Sequence, residues 1–226
     1  MNDFNYVKRY LINGDDAYHL YKLLYEITTI LDKNDIVYWA TGGTFIGAVR
    51  SGGLLLWDDD LDICIPEIFK IKVEKIFSEH NMLTYFKNDL YVHKIFYRSN
   101  INKKNPYPFC DIFYVKGAIM NNKKAFIHAN SNALKMWPKE YFYLNDLLPL
   151  KKYKFGSYEI YCSKNYQEYM IRNYSKNWSK EGIITCNHKM NITLNPIIKI
   201  KLCVNSLQPA KPFYDPDIEK CDNDIS

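Results

Sequence analysis

The segment Asp58-Asp59-Asp60-Leu61-Asp62 puts four carboxylates next to the apolar run Ile63-Cys64-Ile65. In a strand, side chains at even steps share a face. Asp58, Asp60 and Asp62 would then converge, while Leu61, Ile63 and Ile65 turn to the opposite, buried side. Carboxylates crowded on one face repel, and the group is tolerable only when solvated, protonated or bridged by cations. An all-oxygen ligand set of this kind suits Mg²⁺ or Mn²⁺. A bare acidic run is ordinarily a solvated turn. Here Trp57 flanks it on one side and an apolar strand on the other, and a Gly-Gly turn precedes it, which favours a metal site.

That turn, Gly42-Gly43, ends a β-like run and opens a helix at Thr44. Backbone N–H groups without side chains near a helix N-terminus suit a phosphate. Arg50, one to two turns further on, is within reach of an anionic group, although an exposed arginine is an equally ordinary reading. Phe109-Cys110-Asp111-Ile112-Phe113 is an apolar strand interrupted by one carboxylate. A lone aspartate there costs several kcal/mol (~2–7) unless paired or metal-bound, so Asp111 is a further candidate ligand. His93 and Lys94 lie between the two acidic elements; Lys94 is a candidate phosphate contact, and His93 reads as structural.

The elements that must position these groups follow from periodicity. Ala17, Leu20, Leu24, Ile27 and Leu31 recur at helical steps, which predicts a helix capped by Asp15 or Asp16 and ending near Lys33-Asn34. Short strands are expected over 36–40 and 61–65, a helix over 67–80, and strands over 82–86, 91–97 and 109–115. Residues 121–132 read as a polar surface loop, 153–162 as a hairpin about Gly156-Ser157, and 166–174 as a short helix. This mixture predicts one α+β domain over residues 1–202, followed by a C-terminal tail over 203–226.

Composition excludes other classes. A net charge of +5 with scattered lysines lacks the dense basic stripe of a nucleic-acid binder. No apolar stretch reaches membrane-spanning length, and residues 1–6 do not begin a signal peptide, so the expectation is a cytoplasmic protein without a membrane span. The six cysteines show neither C-x-x-C pairing nor a histidine at zinc spacing, and are expected to be reduced structural thiols.

Taken together, Gly42-Gly43-Thr44-Phe45-Ile46-Gly47-Ala48-Val49-Arg50, then Gly52-Gly53, then Trp57-Asp58-Asp59-Asp60-Leu61-Asp62-Ile63 resemble the sequence block of the LicD family. That family includes the LicD phosphocholine transferases and the fukutin and fukutin-related proteins. Phe109 to Phe113 looks like the family's later aspartate-bearing strand, and Tyr166 to Trp178 resembles the end of its domain. Ser175 and Ser163 depart from its pattern, and Leu54-Leu55-Leu56 lacks the proline usual before Trp57; all are packing or turn positions. The resemblance implies a nucleotidyltransferase-like fold, a mixed central sheet with helices packed on it. It also implies transfer of a phospho-alcohol group, phosphocholine or a sugar-alcohol phosphate such as ribitol phosphate, from a CDP-activated donor to a hydroxyl of a glycan or similar acceptor. On that reading Asp60 and Asp62 hold Mg²⁺ against the donor, Asp58 or Asp111 completes the site, and Asp111 takes the acceptor's proton. Gly42, Gly43, Thr44, Arg50 and Lys94 bind substrate. The alternatives are transfer of NMP from an NTP and a non-catalytic nucleotide-binding relative.

Overall fold

The computed structural model describes residues 4–212. Helix α1 (Gly14–Lys33) begins at Asn13, whose side chain accepts from the Asp16 N–H at 2.8 Å. The expected cap at Asp15 or Asp16 is therefore corrected by two to three residues. Both aspartates sit instead in the first turn, where a negative charge favours the helix dipole. Leu20, Leu23, Ile27 and Leu31 are wholly buried along one stripe, and α1 lies against the central sheet.

The chain then runs β1 (Trp39–Ala40), α2 (Gly42–Arg50), β2 (Leu61–Pro66), α3 (Lys70–Glu79), β3 (Leu83–Phe86), β4 (His93–Tyr97) and β5 (Phe109–Met120). The sheet order is β1-β2-β5-β4-β3; β2 and β5 are parallel and the other pairings antiparallel, so the central sheet is mixed. Ile63, Ile65 and Ile112 are completely buried in it. The α+β class and mixed sheet expected from the sequence are thus present.

Residues 121–132 are not a loop. β5 continues to Met120 and turns straight into β6 (Lys123–His128), with Met120 opposite Lys123. Asn121 and Asn122 both have positive φ, 49° and 60°, the conformation a tight hairpin turn requires and asparagine tolerates. The polar composition that suggested a loop belongs to an exposed hairpin. Beyond it come α4 (Ser131–Met136), β7 (Phe142–Tyr143), which pairs with β6, α5 (Leu144–Leu147), and the hairpin β8 (Lys151–Phe155) and β9 (Tyr158–Cys162).

After α6 (Gln167–Tyr174) an antiparallel hairpin follows, β10 (Glu181–Asn187) and β11 (Ile192–Lys201). The periodicity reading assigned nothing there. Residues 203–212 return to the body: Ala210 N–H donates to the Leu54 carbonyl at 2.8 Å, and the Tyr21 hydroxyl donates to the Ala210 carbonyl at 2.8 Å. The rest of the expected tail lies outside the described residues. Cys64, Cys110, Cys162 and Cys186 are free thiols, whereas Cys203 is disulfide-bonded, correcting the expectation of reduced thiols at that position. The spacing of the six cysteines carried no pairing information.

Candidate active site

Register brings the acidic residues together. Parallel pairing of β2 with β5 sets Asp62 beside Asp111, and antiparallel pairing of β4 with β5 sets Lys94 on Asp111's other side. Asp60 enters the same space from just before β2. One carboxylate oxygen from each of Asp60, Asp62 and Asp111 lies within 4.8 Å of the others. Asp111 is therefore on the face shared by Asp60 and Asp62, and Cys110 and Ile112 are buried on either side of it. These groups lie at a cavity of about 510 Å³, walled by Ile46, Trp57, Phe113, Trp137, Tyr169 and Tyr174 and by residues of β10 and β11.

Burial and mutual repulsion hold the cluster toward its neutral form. Burial first, then Asp60 and neighbouring carboxylates, pushes Asp58 and Asp62 well above the usual range. Asp60 is pushed up to about 6 by burial, with His188 opposing and Asp111 adding. Burial also raises Asp111, against the pull of the Lys94 ammonium 2.5 Å from its Oδ1. Asp58 Oδ2 is buried without a hydrogen-bond partner. An orphaned carboxylate oxygen beside three converging ones is the arrangement a hard divalent cation relieves.

The glycine turn is shaped by this cluster. A Cβ at Gly42, where φ is +51°, would stand 2.6 Å from Asp62 Oδ2; one at Gly43 would stand 2.0 Å from Asp58 Oδ2. The Gly43 N–H donates to Asp62 Oδ2 at 3.0 Å, and the Asp62 N–H donates to Thr44 Oγ1 at 2.8 Å. The Gly42 N–H is shared by Glu140 Oε1 and the Tyr169 hydroxyl, each at 3.2 Å. These amides thus hold protein oxygens around the site.

Arg50 lines the cavity, yet its Nη1 donates to the carbonyls of Trp178 at 2.9 Å and Glu181 at 3.2 Å, and its guanidinium lies over Trp57. Burial pulls it down to about 10, with Tyr174 and Asp58 opposing. Besides pairing with Asp111, the Lys94 ammonium lies 3.4 Å from the centre of the Phe109 ring. His93 stacks on Tyr85 with ring centres 5.4 Å apart and does not line the cavity.

Sequence reasoning missed Glu140. Its carboxylate is 8% exposed and lines the cavity. Oε1 accepts from the Thr41 hydroxyl at 2.6 Å, the Tyr169 hydroxyl at 2.9 Å and the Gly42 N–H. His128 Nε2 stands 3.3 Å from Oε2, within ion-pair distance though outside hydrogen-bond geometry. Burial opposes ionisation, but His128, Thr41 and Tyr169 together hold Glu140 below the usual range. No spacing signal marks it: Pro138-Lys139-Glu140-Tyr141 reads as an ordinary polar stretch.

Asp59 meets Asp60 at His188: an oxygen of each carboxylate and a ring nitrogen of His188 lie within 4.8 Å of one another, with His188 Nδ1 3.5 Å from Asp60 Oδ2. Asp59 accepts from the backbone N–H groups of His188 at 3.1 Å and Lys189 at 2.8 Å, and lies 3.0 Å from His188 Nδ1. Burial works against its charge, yet these bonds hold it below the ordinary carboxylate range.

The family described as LicD/FKTN/FKRP, nucleotidyltransferase domain, matches residues 35–165, a segment that contains every residue from the glycine turn to Glu140. The chain is 34% identical over 216 residues to the uncharacterized protein RP689 of Rickettsia prowazekii (strain Madrid E), covering 92% of this chain and 74% of that protein. It is 33% identical over 216 residues to the uncharacterized protein RT0683 of Rickettsia typhi (strain ATCC VR-144 / Wilmington), with 92% and 63% covered. Among solved structures it is similar to the lincomycin-bound lincosamide antibiotic adenylyltransferase LnuA, at 15% identity and a TM-score of 0.40, over 63% of this chain and 78% of that one. No helix among the described residues is long and apolar enough to cross a membrane. With the matched segment spanning over half the chain and enclosing the acidic cluster and its glycine turn, the protein belongs to the LicD/FKTN/FKRP family and is a transferase built on its nucleotidyltransferase domain.

Proposed function

We propose that the protein is a Mg²⁺- or Mn²⁺-dependent transferase that moves a phospho-alcohol group from a CDP-activated donor to a hydroxyl of a glycan or similar acceptor. The transferred group is phosphocholine or a phospho-sugar-alcohol. The observation that carries this reading is the convergence of Asp60, Asp62 and Asp111 within 4.8 Å at the cavity, with the unpartnered Asp58 Oδ2 beside the glycine turn. Membership of the LicD/FKTN/FKRP family supports the reaction class.

Asp60 and Asp62 would hold the cation, with Asp58 completing its site. When bound, the ion offsets charge on the donor phosphates and on the departing nucleotide. Gly43 and Thr44 hold Asp62 in position through its Oδ2 and its own N–H. Glu140 fixes the turn that carries Gly42, and the lack of side chains there lets carboxylates and a donor phosphate share one space. Lys94 neutralises one oxygen of Asp111. The other Asp111 oxygen takes the proton of the attacking hydroxyl, a task suited to a carboxylate raised by burial. Arg50 positions Trp57 and the start of β10, and so acts on the substrate through the cavity wall.

The test is a panel of CDP-choline, CDP-ribitol, CDP-glycerol and the four NTPs, each with Mg²⁺ and with chelator. Metal-dependent CMP release from a CDP-alcohol is the expected result. Pyrophosphate release from an NTP without CMP release would replace this function with nucleotidyl transfer. Consumption of none would reject both.

A further inference from the structure

The hairpin β10–β11 lies outside the family-matched segment, yet it supplies one side of the cavity. It is fastened at both ends. At its base Arg50 donates to the Trp178 and Glu181 carbonyls, and Gly182 packs so closely on Trp57 that a Cβ would stand 2.7 Å from the indole. At its tip Asp59 accepts the His188 and Lys189 amides and lies against the His188 ring. Two further bonds steady the tip: Asn105 Nδ2 donates to the His188 carbonyl at 2.7 Å, and Lys189 Nζ reaches Asp16 at 2.7 Å.

Between the two fastenings, strand alternation turns Glu181, Ile183 and Thr185 toward the cavity. The register irregularity between Ile184 and Cys186 then shifts the facing set, so Cys186 and His188 also line it. The latch at the tip accounts for Asp59, the second aspartate of the acidic run. Its carboxylate shares His188 with Asp60 and spends its hydrogen bonds on the hairpin tip.

We propose that this hairpin is the specificity wall of the transferase site. Asp59 is the positioning residue that latches it, and Ile183 with Ile197 selects a substrate group presenting an apolar face beside the acidic cluster. The proposal rests on the reading of that cluster as catalytic. Asp59 is assigned no reacting atom and acts through the hairpin.

Cys186 is a built-in reporter, because the other described free thiols, Cys64, Cys110 and Cys162, are buried. Its labelling by an aromatic disulfide reagent is timed in wild type, Asp59→Ala and Asp59→Asn, with Cys186→Ser as the blank. Asp59→Ala is expected to speed labelling by about tenfold or more, the scale of losing a hydrogen bond to a charged group. Asp59→Asn keeps one acceptor oxygen for the two amides and should speed it less; it stands in if Asp59→Ala fails to fold. An unchanged rate in whichever variant folds overturns the latch. In the second arm Ile183→Trp is assayed on the same panel of CDP-alcohols and NTPs. A shift of about tenfold in the ratio of kcat/KM values between two substrates is expected, the scale pocket contacts give. A uniform loss with the ranking intact overturns the selective role. If wild type consumes none of the panel, the proposed function fails, and the hairpin assignment is decided by the labelling rates alone.

Discussion

Glu140→Ala should destabilise the protein by about 3 kcal/mol, although Glu140 bonds to no member of the acidic cluster. Truncation removes the acceptor for the Thr41 hydroxyl, the Tyr169 hydroxyl and the Gly42 N–H, and strips His128 of its buried carboxylate neighbour. Each buried polar group left unsatisfied costs about 1–3 kcal/mol. Part is recovered, because the Thr41 and Tyr169 hydroxyls are 3.1 Å apart and the Gly42 N–H retains the Tyr169 oxygen at 3.2 Å. With three donors affected and part recovered, the net is about 3 kcal/mol. Glu140→Gln keeps one acceptor oxygen for the same donors and should lose only about 1 kcal/mol, one ordinary hydrogen bond. Urea unfolding at neutral pH, with an unchanged denaturant slope, measures both. A loss below about 1 kcal/mol for the alanine variant, or equal losses for the two variants, would refute the assignment of Glu140 as the anchor of the glycine turn.

Asp60→Asn and Asp62→Asn should each abolish turnover with the fold retained, and should remove Mg²⁺- or Mn²⁺-induced stabilisation in thermal melts. Equal metal stabilisation of wild type and both variants would sink the metal assignment. Asp111→Ala should cost about a hundredfold or more in rate, the scale of an acid–base group, whereas rates near wild type would return Asp111 to a structural role. The pH dependence carries a sign. Asp60 sits near 6 in the folded protein, with Asp58 and Asp62 also raised. Their contribution to stability is full below the unfolded carboxylate range; Asp60's is lost as pH rises through about 6, and those of Asp58 and Asp62 as pH rises through their own raised folded-state values. Asp59 and Glu140 are lowered, so their contribution is already complete above that range. With chelator present, Tm should fall between about pH 5 and 7, and saturating Mg²⁺ should flatten the fall; a Tm that rises over this window without metal would contradict the burial argument.

Local sequence determined the parts whose physics is local. The alternation of Asp58, Asp60 and Asp62, the helical stripe of α1, the glycine turn and the lone aspartate of an apolar strand are set by side-chain periodicity and backbone freedom, which act over a few residues. That is why the α+β class, the catalytic candidates and the family resemblance were legible without coordinates. Tertiary structure alone decided the register of β2 against β5, which places Asp62 beside Asp111 from 49 positions away in the chain. It also decided that Glu140 serves the turn at Thr41 and Gly42, and that Asp59 fastens the tip of β10–β11 beside Asp60. Arg50 looked like an anion contact and proved to be bound to backbone carbonyls. Each of these joins residues distant in the chain, and a carboxylate or guanidinium carries no mark in sequence of which distant donor or acceptor it will meet. Its partner is chosen when the sheet closes and burial makes an unpaired charge too costly to keep.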